Sequence, residues 1–190
     1  MACQCEIPEG RTAMKVLVLQ GSPNANGSTA VLAREFACGA QEAGHDAEVV
    51  NVAALDIAPC TGCVACGYGG PCALSDDFDG LREQILSADM LVFATPLYYY
   101  GMTAQLKTVV DRFCSANPSI TGKRLKSALL AVAWNDDDWT FDALEAHYDT
   151  LVRYLNLCDC GRVLGGGCGT PSMTERSGFP AKARALGASV

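Results

Sequence analysis

The strongest constraint on this chain is an alternation. Unbroken apolar runs of strand length take turns with amphipathic stretches of helix length. Lys15-Val-Leu-Val-Leu-Gln20, Met90-Leu-Val-Phe-Ala94 and Ser127 to Ala133 lack the alternating polar residues of a half-solvated strand. Such runs belong to strands buried on both faces, as parallel strands are between two helical layers. Asp46 to Val52 reads as a weaker strand at an edge, and Arg162 to Leu164 suggests a fifth. The spacing predicts helices over about Ser28 to Ala43, from Asp76 or Asp77 through Phe78, Leu81 and Ile85, over Thr103 to Ser115, and over Thr140 to Leu157. In the third of these, Leu106, Val109, Val110 and Phe113 recur at i, i+3, i+4 and i+7. Five β–α units imply an α/β fold, a doubly wound parallel sheet with helices on both faces. Ligands of such sheets bind outside the carboxyl ends of the strands. The loops after strands one, two and three are therefore expected on one rim.

Composition narrows the function. With 190 residues, 49% of them apolar and 18% charged, the chain is expected to be one globular domain over 1–190. A net charge of −7 argues against nucleic acid or an anionic membrane as partner, since both reward clustered Lys and Arg. The first ten residues hold no apolar stretch of the secretory type, and no apolar run is long enough to span a bilayer, so the expected location is the cytoplasm. Cys3 and Cys5 fall in an N-terminal segment read as mobile. Residues 167–190 are read as an irregular or weakly helical tail.

A cysteine-rich insertion, 58–75, contains CTGCVACGYGGPC, with Cys60, Cys63, Cys66 and Cys72 spaced C-x2-C-x2-C-x5-C. Its glycines Gly62, Gly67, Gly69 and Gly70 let the backbone wrap closely. Bacterial ferredoxins hold iron–sulfur clusters on a comparable run. Three occupants are compatible with it: a [4Fe-4S] cluster, a structural zinc, or free or disulfide-linked thiols. Zinc sites more often pair two C-x2-C knuckles across a longer gap. Cys38, Cys114, Cys158, Cys160 and Cys168 are read as buried or incidental thiols.

The loop after the first strand is GSPNANGST. It ends on a helix N-terminus, where free N–H groups and the dipole favour phosphate. Ser22, Asn24, Asn26, Gly27, Ser28 and Thr29 supply neutral donors and no basic group. It matches neither the Walker P-loop nor the G-x-G-x-x-G dinucleotide pattern. The loop after the third strand, Thr95-Pro-Leu-Tyr-Tyr-Tyr-Gly101, sets three aromatics opposite. Tyrosines offer an apolar ring with a polar tip, suited to a flat heteroaromatic ligand and equally to packing or a subunit contact. His45 and His147 are read as surface residues, and Asp76-Asp77 as helix caps.

Together, GSPNANGST and ADMLVFATPLYYYGMTAQLKTVVDRF (Ala88 to Phe113) resemble the flavodoxin-like NAD(P)H-dependent FMN reductases over about residues 14 to 165. The resemblance implies a five-stranded sheet of order 2-1-3-4-5. It implies that the first loop holds the FMN phosphate, and that Pro96, Leu97, Tyr98, Tyr99 and Gly101 line the ring. Where the family often has a basic residue after the loop proline, this chain has Asn24. A third flavin loop would be Ala133 to Asp138, with Trp134 and Trp139 either stacking on flavin or packing elsewhere. The cysteine loop resembles that of the iron–sulfur flavoproteins, which implies a cubane cluster on Cys60, Cys63, Cys66 and Cys72. The implied activity is flavin-mediated transfer from NAD(P)H or ferredoxin to a small acceptor such as a quinone, in a dimer or tetramer. A non-catalytic electron carrier or redox sensor is the alternative. No catalytic side chain is named, because hydride transfer to flavin needs no side-chain acid or base.

Overall fold

The computed structural model describes residues 13–190; Cys3 and Cys5 lie outside the described residues. Strands β1 (Lys15–Gln20), β2 (Asp46–Asn51), β3 (Met90–Pro96), β4 (Lys126–Val132) and β5 (Cys158–Gly165) form one sheet in the order β2-β1-β3-β4-β5. Every neighbouring pair is parallel. This is the flavodoxin-like arrangement expected. Helices α1 (Ser28–Glu42), α2 (Phe78–Ser87), α3 (Ala104–Arg112), α4 (Asn117–Lys123), α5 (Asp142–Tyr154), α6 (Pro171–Glu175) and α7 (Phe179–Ala188) surround it. None of the described helices is long and apolar enough to cross a membrane.

The period-2 geometry of the strands divides the core in two. Leu17, Leu19, Leu91, Phe93 and Leu129 face α2, α3 and α5, meeting Phe78, Ile85, Leu106, Val109, Leu144 and Tyr148. Val16, Val18, Val92, Ala94 and Leu130 face α1 and α7, meeting Leu32, Phe36 and Ala183. Both faces are covered, which is why the central strands read as continuous apolar runs. β2 sits at the edge and is largely accessible.

Two segments depart from the sequence expectation. The helix expected to reach Ser115 stops at Arg112, tightens into a 3-10 turn over Phe113–Ala116, and restarts as α4 with a proline in its first turn. Proline is tolerated there because its missing N–H is not needed. β5 is eight residues long where three were expected, since Cys158 to Gly161 carry no run of large apolar residues to mark a strand. The tail over 167–190, read as irregular or weakly helical, is the helical alternative and holds α6 and α7. Helix α7 buries Ala183 and Gly187 instead of large side chains, so its apolar stripe is faint in the sequence.

Glycines let α7 reach α1. A Cβ on Gly39 would lie 2.0 Å from the Arg184 carbonyl oxygen, and one on Gly187 would lie 2.1 Å from that of Phe36. Both obstacles are backbone and cannot rotate away. Gly39→Ala and Gly187→Ala are each expected to lower stability, because overpacking costs about 1–3 kcal/mol and outweighs the gain of at most about 1 kcal/mol for alanine in a helix. Gly80→Ala in α2, with nothing within 4 Å of the new methyl, should raise it. Urea denaturation of the three variants checks the opposite signs.

Candidate functional site

Two loops meet between β1 and β3, where the strand order turns. The first leaves β1 and ends on α1. Gly21 N–H donates to the Ala94 carbonyl at 2.8 Å, and the Thr103 hydroxyl donates to the Gly21 carbonyl at 2.7 Å. Thr103 also caps α3 by accepting from Leu106 N–H, so one side chain ties the helix start to the first loop. A Cβ on Gly21 would lie 2.6 Å from Leu106 Cβ, so a side chain there would push α3 away.

Within the loop the predicted residues divide into two kinds. Ser22 Oγ accepts from Asn24 N–H, Asn24 Oδ1 accepts from Asn26 N–H, and Gly27 N–H donates to the Asn24 carbonyl. These self-made turns shape the loop. Ser28 and Thr29 are buried, and neither hydroxyl has a hydrogen-bond partner. They open α1, whose N-cap is Gly27 with no side chain to cap it and whose first turn holds no acidic residue. An uncapped helix start with two unpartnered buried hydroxyls suits an anion. Gln20, the last residue of β1, adds a buried amide with both atoms unpartnered. A polar residue closing an apolar strand run was the signal for it in the sequence.

The second loop is a tight turn. Tyr98 and Gly101 exchange backbone hydrogen bonds at 3.0 and 3.1 Å, with Tyr99 and Tyr100 at φ +44° and +63° between them. Two central residues at positive φ are normally Asn or Gly; each tyrosine here carries strain of order 1 kcal/mol or more, of the kind that gathers at ligand sites. Pro96 ends β3, and Leu97 is anchored by its N–H on the Val132 carbonyl. Tyr98 and Tyr99 are exposed, Tyr99 completely. Tyr100 packs on Trp139, ring centres 5.1 Å apart, so the loop after β4 joins the same rim. Trp134 lies against Gly169, where a Cβ would stand 1.9 Å from the indole.

The cysteine loop goes elsewhere. It was expected on this rim, but it folds down to the far end of α3. Cys60, Cys63, Cys66 and Cys72 line one cavity of about 240 Å³ with Arg112 and Cys114. Thr103 touches the first loop at one end of α3, while Arg112 closes the other. The helix separates them by its own length, nine residues or about 14 Å. The four loop cysteines are unbridged, whereas Cys158 is disulfide-bonded and no incidental thiol. Among the described residues no three Cys, His, Asp or Glu groups converge on a single-ion position. Left-handed backbone at Gly62 and Gly67 (φ +67° and +56°), with open space at both Cβ positions, shows that those glycines serve conformation and not packing.

Arg112 organises this loop, a role not read from the sequence. Its side chain is fully buried. Nη1 donates to the Ala58 carbonyl and to Asp76 Oδ2, and Nη2 to the Leu74 carbonyl and to Asp76 Oδ1. The fork thus grips both ends of the insertion. Nε has no partner. Asp76 also accepts from Ala58 and Phe78 N–H, so it is an ion-pair partner as well as a helix cap. Burial pushes the Asp76 carboxyl up, but the Arg112 hydrogen bond, the two backbone N–H bonds and the Arg112 charge hold it below its usual range. Cys114 shifts the other way: burial raises its thiol, and the neighbouring loop thiols, Cys66 first, raise it further.

Residues 14–136 match the family described as NADPH-dependent FMN reductase. The chain belongs to that family. Among its relatives, an iron-sulfur flavoprotein of Methanocaldococcus jannaschii is 36% identical over 99 residues, 52% of this chain and 51% of that protein. An iron-sulfur flavoprotein of Archaeoglobus fulgidus is 32% identical over 112 residues, 58% and 51% of the two chains. The match spans about half the length of these relatives. A solved NAD(P)H:quinone oxidoreductase from Methanothermobacter marburgensis shares the fold, with TM-score 0.75 at 21% identity over 93% of this chain and 95% of the other. In this FMN reductase family member the loops after β1, β3 and β4 share one rim, and the thiol cavity stands apart.

Proposed function

We propose that the chain is an FMN-dependent oxidoreductase that takes electrons from NAD(P)H or ferredoxin and passes them to a small acceptor such as a quinone. A [4Fe-4S] cluster on Cys60, Cys63, Cys66 and Cys72 is part of this reading. The observation that carries it is the pair of unpartnered hydroxyls, Ser28 and Thr29, at the uncapped start of α1. Leaving a buried hydroxyl unpaired costs about 1–3 kcal/mol, and a phosphate monoester gives both a strong acceptor. Ser22, Asn24, Asn26 and Gly27 then shape the loop around the phosphate, while Ser28 and Thr29 donate to it. Pro96, Leu97, Tyr98, Tyr99 and Gly101 border the flat ring. When bound, FMN supplies a centre that accepts hydride and releases electrons singly or in pairs. The chain's own residues bind and orient it.

The thiol cavity supports the cluster by its donor set. A tetrahedral zinc gathers four ligands on one point, whereas a cube takes one thiolate at each of four irons. Four loop thiols lining one cavity supply the one-per-iron donor set that a cube needs. The free Arg112 Nε–H offers a hydrogen bond to an anionic occupant. In the same reading the protein works in the cytoplasm as a homo-oligomer, with the exposed aromatics Tyr98, Tyr99, Trp134 and Trp139 near the subunit contact.

Protein purified without oxygen is expected to show flavin bands, a broad shoulder bleached by dithionite, and about four irons with acid-labile sulfide per chain. It should then turn over NAD(P)H with a quinone. Colourless protein defeats both parts of the reading. Flavin without iron or sulfide keeps the reductase and removes the cluster. Flavin that is reduced without turnover makes the protein an electron carrier.

A further inference from the structure

Strand β1 is apolar from Val16 to Leu19 and then ends on a carboxamide, Gln20. Gln20 is 2% exposed, and neither its Oε1 nor its Nε2 has a hydrogen-bond partner. Buried polar groups are nearly always partnered, so this one calls for an explanation. The strand's period of two sets its direction. Val16 and Val18 share a core layer with Leu32 and Phe36 of α1, whereas Leu17 and Leu19 belong to the opposite face. Gln20 therefore points to the α1 side. Gly21 keeps the alternation, since a Cβ there would meet Leu106 of α3. Its level along α1 follows from the rises. β2 is parallel to β1 and starts at Asp46, just after α1 ends at Glu42, so α1 runs back along the sheet. Two residues of strand advance about 6.6 Å, and four of helix about 6 Å. The step from Val18 to Gln20 thus matches the step from Leu32 back to Ser28 and Thr29. Three buried side chains with unpartnered polar atoms stand at one end of one layer.

We propose, resting on the phosphate reading of this helix start, that Gln20 is a further FMN-binding residue whose Nε2–H groups donate to the phosphate. The carboxamide carries two N–H groups and the hydroxyls one O–H each. These four polar hydrogens are donors without acceptors, and a phosphate monoester is an acceptor on every free oxygen. The loop GSPNANGST holds no Lys or Arg, so the charge has to be met by neutral donors. Hydrogen bonds to an ionised acceptor are about twice as strong as neutral ones, and Gln20 adds its share from the strand while Ser28 and Thr29 add theirs from the helix. Gln20 thereby selects for the phosphate ester over the bare flavin.

The test is fluorescence titration of the flavin-free full chain with FMN and with riboflavin, which shares the ring and lacks the phosphate. The wild type should bind FMN more tightly than riboflavin. Gln20→Met, close in size and without a donor, should lose about 10–10²-fold in FMN affinity, as expected for one hydrogen bond to a charged group. Its riboflavin affinity should not change. Its urea midpoint without flavin should not fall, because an unpaired buried amide is gone. Gln20→Glu, of the same shape but with a carboxylate oxygen in place of the donor, should lose more FMN affinity than Gln20→Met. Where Gln20→Met fails to fold, Gln20→Leu takes its place. A Gln20→Met protein that keeps the wild-type preference for FMN overturns the proposal and leaves the phosphate with Ser28 and Thr29. An equal loss for both flavins also overturns it, since Gln20 would then shape the fold without touching the phosphate. A wild type that binds riboflavin as tightly as FMN overturns the phosphate reading and this proposal together.

Discussion

Arg112→Met is expected to lower folding stability by about 3–5 kcal/mol, the cost of removing one partner of a buried ion pair. Arg112 is fully buried and Asp76 partly so, with 0% and 12% of their side chains exposed. Methionine fills much of the volume but leaves the Asp76 charge without its counterion and the Leu74 carbonyl without its donor. Arg112→Lys keeps the charge but cannot span two carbonyls and both carboxylate oxygens at once, so it should recover only part of the loss. The pH dependence separates the pair from simple packing. In the wild type the folded Asp76 carboxyl lies below its ordinary value of 3.8. Its contribution is therefore complete above that value and is lost as pH falls through the lower, folded one. In Arg112→Met the carboxyl loses the guanidinium's hydrogen bond and charge and rises above its wild-type position, while the Ala58 and Phe78 N–H groups still hold it down against burial. The variant therefore has less to lose on acidification, and the deficit relative to wild type should narrow as the pH falls. Urea midpoints at neutral and acid pH measure this. A deficit that stays constant with pH would mean that Asp76 takes no part.

Such a clamp was invisible in the sequence for a definite reason. Arg112 and Asp76 are 36 residues apart, and only the docking of α3 against the cysteine loop unites them. Periodicity reports what one element does with its own apolar face. It therefore revealed the doubly buried strands β1, β3 and β4, and the sheet order followed from the family resemblance. It could not report how far a loop travels, so the cysteine loop was placed on the rim of its strand when it lies at the other end of α3. The same blindness covers α7, whose contact with α1 is made through Gly39, Ala183 and Gly187, residues with little hydrophobic signal. At the first loop, residue types were legible but their division of labour was not. Ser22 and Ser28 look alike in GSPNANGST, yet one spends its oxygen on the loop and the other spends nothing.

That difference gives the second large effect. Ser28→Ala combined with Thr29→Val is expected to move FMN affinity and the stability of the flavin-free protein in opposite directions. A hydrogen bond to a charged group contributes about 1.5–3 kcal/mol. Two lost donors therefore weaken FMN binding by about 3–6 kcal/mol, or about 10²–10⁴-fold in Kd, with some departure from additivity because the residues are adjacent. Without flavin both hydroxyls are buried and unpaired, so replacing them with apolar groups removes a desolvation cost, and the flavin-free protein should unfold at higher denaturant. An alanine at Ser22 behaves otherwise: it removes an acceptor that the Asn24 N–H uses and should loosen the loop in either state. Fluorescence titration of FMN, paired with urea denaturation of the flavin-free proteins, reads both signs. Unchanged FMN affinity in the double variant would remove the phosphate from this helix start. Weaker binding with an equally weakened flavin-free fold would make the two residues structural and not ligands.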